Sequence, residues 1–181
     1  LRKLKVRFME MGINVSEQIY RSTKSFIEHD KELANEIVND DQEINSGEIQ
    51  LKNQALKLIA LQQPVASDFR TIVSVLKASS DLERIGDHAL NIAECAKEIH
   101  EKNIVFSEQA QRELSVLQQA IRDILHLSVD TFIESNVSGA RRVEPLEEIV
   151  DTLCDEMKSH HIERLQRGVC TLNQGFVFND L

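Results

Sequence analysis

The sequence predicts an all-α protein, and three observations carry that expectation. Only two prolines and six glycines occur in 181 residues, few for a β protein with many turns. Apolar residues recur at steps of three and four, the spacing of one helix face. The breakers that do occur fall between these periodic stretches. With 41% hydrophobic residues and 28% charged, the chain is long enough for one large domain or two small ones around a real core.

The elements follow in order. Leu4, Phe8, Met11, Val15, Ile19, Ser22 and Phe26 form a clean stripe for the first helix. A second pattern runs from about Lys31 to Gln63 and stops at Pro64, since proline disfavours helix in the residue before it. The third opens after Ser67, an expected N-cap with Asp68 in the first turn, and continues to about His100. A fourth passes from Ser107 through Leu114, Leu117, Ile121, Leu125 and Val129 to Phe132, and "NVSG" (136–139) closes it. The fifth spans Pro145 to Gln166 and breaks at Gly168; a sixth begins after Thr171 and the chain ends at Leu181.

The breaks reveal a repeat. "LQQPVAS" (61–67) and "LQRGVCT" (165–171) match in residue type at every position. Upstream, "DQEIN" (41–45) resembles "EEIVD" (147–151) at a slightly different offset. The expected organisation is two tandem three-helix bundles, residues 1–103 and 104–181, with the second cut short. The chain opens at Leu1 rather than methionine, which reads as a piece of a longer protein.

Acids interrupt the apolar stripes. On the second helix Asp41 and Glu48 share a face with Ile37, Ile44 and Leu51. On the third, Phe69, Ile72, Leu76 and Ser80 lead to Glu83, Asp87 and Leu90. A carboxylate on a buried stripe is costly unless it is paired, protonated or metal-bound. Glu83 and Asp87 lie one turn apart, so a cation between them would relieve their repulsion, and oxygen ligands suit hard or borderline cations. The competing reading is a solvated face on which Arg84 and Lys77 form salt bridges with this pair. Gly86, which costs about 1 kcal/mol in a helix interior, favours a close backbone approach or room for an ion. His88 reads as a surface or supporting histidine rather than a ligand, and the adjacent His160 and His161 point to different faces.

Charge and cysteine usage exclude other classes. A net charge of −9 argues against nucleic acid or an anionic membrane surface as the main partner. Cys95, Cys154 and Cys170 lack CxxC spacing and read as reduced thiols of a cytoplasmic protein. No apolar run reaches the roughly 20 residues of a membrane span.

Residues 58–94, "LIALQQPVASDFRTIVSVLKASSDLERIGDHALNIAE", together with "MGINV" and "NDDQEIN" before them, resemble the PhoU family of phosphate-uptake regulators. The second half, "LEEIVDTLCDEMKSHHIERLQRGVCTLNQGFVF", looks closer to the PhoU-like domain at the C-terminus of bacterial sodium/phosphate cotransporters. The resemblance implies two three-helix bundles related by a pseudo-twofold axis. It also implies metal clusters, iron or zinc, held by Glu/Asp-x-x-x-Asp motifs. These fall on Glu83 and Asp87 with Asp41 from the neighbouring helix, and on Glu147 and Asp151 in the second copy; Glu48 joins the candidate metal set from its place on the same stripe as Asp41. Asn45 departs from the motif, which has aspartate there. A second "ERIxD" motif is expected beyond Leu181.

The implied role is regulation of phosphate transport and phosphate signalling without catalysis, through contacts with transporter components and a sensor histidine kinase. The implied form is a homodimer, cytoplasmic or held at the inner face of the membrane by partners or a fused transporter segment. A di-metal carboxylate enzyme is disfavoured, because none of the six histidines has a glutamate three residues before it. A histidine-kinase dimerisation bundle around His88 lacks a nucleotide-binding domain beside it. A metal-free helical scaffold is the stronger alternative.

Overall fold

The computed structural model describes residues 1–40 and 42–179, and of residues 40, 42–44, 178 and 179 the backbone alone. The described residues form eight helices: α1 (Arg2–Ile27), α2 (Lys31–Asp40), α3 (Gln42–Gln62), α4 (Ala66–Glu101), α5 (Glu108–Glu134), α6 (Val137–Ala140), α7 (Val143–Gln166) and α8 (Leu172–Asn179). An all-α helical bundle was expected and is observed.

α1 is the centre of the molecule. All seven residues of its predicted stripe, Leu4 through Phe26, are buried. The stripe meets α4, while α2 and α3 pack against both helices and α5 covers the other flank of α1. Leu4, Phe8, Met11, Val15 and Ile19 join Leu51, Ile72, Val75, Leu82, Leu125 and Val129 in one core cluster. A second cluster lies at the far end, where Phe26 gathers with Ala96, Ile99, Phe106, Ala110 and Val177. α7 leans on α5, and α8 on α7.

α5 runs antiparallel to α1, and the contacts step along both helices. Lys5 Nζ donates to the Ile133 carbonyl at 2.6 Å. The Phe8 and Phe132 rings lie 5.1 Å apart, and Arg122 Nε donates to Ser16 Oγ at 3.0 Å. Between these points Gly12 allows closest approach: a Cβ there would sit 2.9 Å from Val129 Cγ2.

Two corners of the chain share one geometry, displaced by 106 residues. His29, after α1, has φ of 55°, and Ser135, after α5, has φ of 56°. The next residue caps the next helix in each case. Asp30 Oδ1 accepts from Leu33 N at 3.0 Å, and Asn136 Oδ1 accepts from Gly139 N at 2.9 Å. Ser22 and Phe26 on α1 occupy the places that Ser128 and Phe132 occupy on α5. Ser16 and Arg122 are related by the same displacement and touch each other.

Several local expectations are corrected. α4 starts at Ala66 with Val65 as its N-cap and no side-chain cap bond. Ser67 is therefore already in the first turn, and its carbonyl accepts from Thr71 Oγ1 at 3.1 Å. "NVSG" does more than close α5, because Asn136 caps the separate one-turn helix α6. α7 begins at Val143, two residues before Pro145, a first-turn position where a missing N–H costs nothing. The break at Gly168 is as expected, with φ of 65°. Thr171 caps α8, accepting from Gln174 N at 3.3 Å while Gln174 Oε1 accepts from Thr171 N at 2.7 Å.

Candidate functional site

The predicted site residues separate by element. Asp41 lies outside the described residues. Glu48 sits on α3 and is buried, 9% exposed. On α4, Glu83 is half-buried, and Arg84, Asp87 and His88 are exposed. Glu147 and Asp151 are both exposed on α7.

Glu48 is where the expected conflict between acid and core does arise, and pairing resolves it. Its Oε1 accepts from Ser80 Oγ across the α3–α4 interface at 2.9 Å and from Lys52 Nζ, one turn on, at 2.6 Å. The Ser80 bond also fixes the antiparallel register of α3 against α4, which places Asn45 level with Glu83.

The stripe on α4 differs from the expected one. Its buried residues are Ile72, Val75, Ser79, Leu82, Gly86, Ala89, Ala93, Ala96 and Ile99; they share Ile72 with the expected line and then run one position away from Leu76, Ser80, Glu83, Asp87 and Leu90. The small residues Ser79, Gly86, Ala89 and Ala93 carry the contact because they let the helix axes approach. Glu83 and Asp87 thus lie beside the buried seam and not on it. Gly86 belongs to the buried seam.

The competing salt-bridge reading of this face also loses a part. Among the described residues neither Arg84 nor Lys77 forms an ion pair with Asp87, which leaves its charge to solvent. Glu83 and Asp87 remain two oxygen-donor side chains one helical turn apart, a donor set that fits a hard or borderline cation. The described residues bring no group of three or more His, Cys, Asp or Glu side chains together.

One half-buried ionic cluster was missed by sequence reading. Glu113 on α5 accepts from Arg164 Nη1 at 3.0 Å and meets His160 Nδ1 at 2.8 Å, both on α7. These bonds tie α7 to α5 near the end where His161, buried on the adjacent face, donates to the Gly175 carbonyl of α8 at 3.2 Å. Three isolated polar residues 47 and 51 positions apart leave no local pattern by which to find them. All three cysteines are free thiols. Burial pushes the Cys154 and Cys170 thiols up from their ordinary value, opposed by Lys158 and Arg164 respectively.

An all-α bundle built on paired long helices, with adjacent carboxylates along its flanks, is the class that these features define. The chain belongs to the PhoU family. The PhoU domain family model matches residues 8–96. An Aquifex aeolicus protein named phosphate-specific transport system accessory protein PhoU homolog is 30% identical over 162 residues, 87% of this chain and 70% of its own length. A protein of the same name from Clostridium acetobutylicum is 28% identical over 176 residues, 96% of this chain and 78% of its own. The fold matches the crystal structure of PhoU from Pseudomonas aeruginosa with a TM-score of 0.88 at 24% identity, covering 98% of this chain and 84% of that one. PhoU from Streptococcus pneumoniae matches at 0.86, also at 24% identity, covering 99% and 83%. Among the described residues no helix is long and apolar enough to cross a membrane.

Proposed function

We propose that the chain is a regulatory accessory protein of phosphate transport that works by contact with other proteins and not by catalysis. The observation that carries this reading is family membership along nearly the whole chain, with relatives named as accessory proteins of phosphate-specific transport systems. The partners in this reading are phosphate transporter components and a sensor histidine kinase, met by a homodimer at the inner face of the membrane. Two repeats, residues 1–103 and 104–181, are supported by the matching corners at His29–Asp30 and Ser135–Asn136. The test is affinity purification from cells at high and low phosphate, with transporter components identified by mass spectrometry. Phosphate-dependent recovery of those components is expected. Metal-dependent hydrolysis of phosphate esters by purified protein, lost on Glu83→Gln, would overturn the reading in favour of an enzyme.

The metal belongs to the same proposal. Glu83 and Asp87 would hold a divalent or trivalent cation, iron or zinc, with Asp41 and Glu48 as the neighbouring acids and with Arg84 and His88 beside them; Glu147 and Asp151 would form the second copy's site. The exposed, unpaired Asp87 supports this, and the engagement of Glu48 by Lys52 and Ser80 makes it the weakest donor of the set. Elemental analysis is expected to show bound metal in the wild type and a sharp loss in Glu83→Gln/Asp87→Asn. These near-isosteric changes on a solvated flank should move stability by less than about 0.5 kcal/mol when metal is absent. Full metal retention by the double variant would exclude this pair, and metal-free wild type would favour the scaffold alternative.

A further inference from the structure

The net charge of −9 is an average over two unlike regions. Between Glu48 and Asp81, along the α3–α4 hairpin, the chain carries four cations, Lys52, Lys57, Arg70 and Lys77, against one acid, Asp68. From Val143 to Met157, along α7, six acids occur without a cation, and all six are exposed. α3 and α7 stand at opposite ends of the row of packed helices α3, α1, α5 and α7. The molecule is therefore polarised, with a basic side and an acidic one.

The basic side also exposes apolar side chains. Ile49 and Leu56, two turns apart on α3, are 58% and 57% exposed, and Phe69 and Val73, one turn apart on α4, are each 44% exposed. The antiparallel register set by the Ser80–Glu48 bond brings Leu56 level with Val73. Both pairs thus lie along the outer side of the α3–α4 seam, over the core that Leu51, Ala55, Ile72 and Val75 form beneath it. Lys77 and Arg70 occupy the crest of α4 next to Val73. Ser67, Thr71 and Ser74 lie on the other flank of α4, toward α5, so the apolar face turns away from α5 and from the helices that follow it. Lys52 is matched to Glu48, whereas Lys57, Arg70 and Lys77 make no ion pair among the described residues.

Apolar side chains interleaved with unmatched cations suit the boundary between lipid headgroups and acyl chains. The apolar groups enter that boundary, and the long lysine and arginine stems lie beside them and carry their charges out to the phosphates. The four apolar residues are spread along two helices and do not converge on one point, which fits an extended surface better than a single anchoring side chain. The polarised charge then orients the molecule: the basic side is drawn to an anionic surface and the acids of α7 are held away from it.

We propose that the outer face of the α3–α4 hairpin docks on an anionic lipid bilayer surface. The proposal rests on the reading that the chain works at the inner face of the membrane, and it names the face and the chemistry by which the chain itself meets that surface.

The test is co-sedimentation of the full chain with vesicles of equal parts phosphatidylglycerol and phosphatidylcholine, against vesicles of phosphatidylcholine alone. Binding is expected to the first and not to the second, and it should fall as salt is raised. Arg70→Gln/Lys77→Gln should weaken it about tenfold or more, at about fivefold for each cation. Leu56→Gln/Val73→Gln, which keeps every charge, should weaken it to a similar degree. Ile149→Gln, on acidic α7 and 50% exposed, should leave binding unchanged. Every one of these positions is exposed, so circular dichroism of each variant should match the wild type. No sedimentation, equal sedimentation with both vesicles, or wild-type sedimentation of either double variant would each overturn the proposal. Transporter components recovered from cells by the wild type but not by Leu56→Gln/Val73→Gln, with no vesicle binding, would assign the face to a protein partner and overturn it as well. Vesicle binding as expected, with no transporter components recovered, would uphold this face and remove the regulatory reading. No vesicle binding, with components recovered by every variant, would do the reverse.

Discussion

Phe26→Ala should lower the free energy of unfolding by about 3–5 kcal/mol, the usual cost of deleting a buried phenylalanine. For a chain of this size that corresponds to a fall of about 6–20 °C in Tm. Phe26 is 2% exposed and central to the cluster that joins the ends of α1 and α4 to Phe106, Ala110 and Val177. The substitution removes both the transfer energy of the ring and its stack on Phe106, and it leaves a cavity bordered by three separate helices. Phe176→Ala, at 70% exposure, is the matched control and should stay within about 0.5 kcal/mol of wild type. Urea unfolding followed by circular dichroism measures both. Equal midpoints for the two variants would mean that this cluster does not hold the molecule together.

The second large effect is expected at the α1–α5 contact. A Cβ at position 12 would lie 2.9 and 3.2 Å from the two γ carbons of Val129, and a β-branched residue in a helix has one strongly preferred rotamer with which to yield. Gly12→Val should therefore destabilise by about 2–3 kcal/mol through overpacking. Gly12→Ala should cost less, because the gain in helix propensity of about 1 kcal/mol offsets part of the clash. Adding Val129→Ala to either variant should recover more stability than the two single effects predict, a coupling that a double-mutant cycle reads directly. Strict additivity would show that the helices separate to accommodate the extra carbons.

How far the sequence could be read depended on the size of the side chains that make each contact. α1 advertises its buried face with Leu4, Phe8, Met11, Val15, Ile19 and Phe26, and all are buried. α4 buries an equally continuous face made largely of Ser79, Gly86, Ala89, Ala93 and Ala96. A search for large apolar residues slides off it by one position and lands on Leu76, Ser80, Glu83 and Asp87. That slip is what made Glu83 and Asp87 look buried. Glu48 was placed on the correct face, but its resolution by Ser80, 32 residues away, depends on register between two helices and has no local signature. The Glu113–Arg164–His160 cluster was hidden for the same reason. The corner at Ser135–Asn136 looked like a plain terminator because one αL residue followed by an Asx cap can either end a chain direction or start a new helix, and only the packing of Gly139 against Thr131 distinguishes them.

The antiparallel pairing of α1 with α5 also has a consequence for how the chain is made. Gly12 and Val129 meet in the finished protein, yet more than a hundred residues of synthesis separate them. At 5–20 residues per second the wait is roughly 6–25 seconds. Throughout that interval α1, α3 and α4 can already close on one another, because every contact among them lies upstream. The flank of α1 that carries Phe8 and Gly12 is meanwhile bare, a narrow strip that a nascent-chain chaperone or a neighbouring ribosome's product can reach before α5 does.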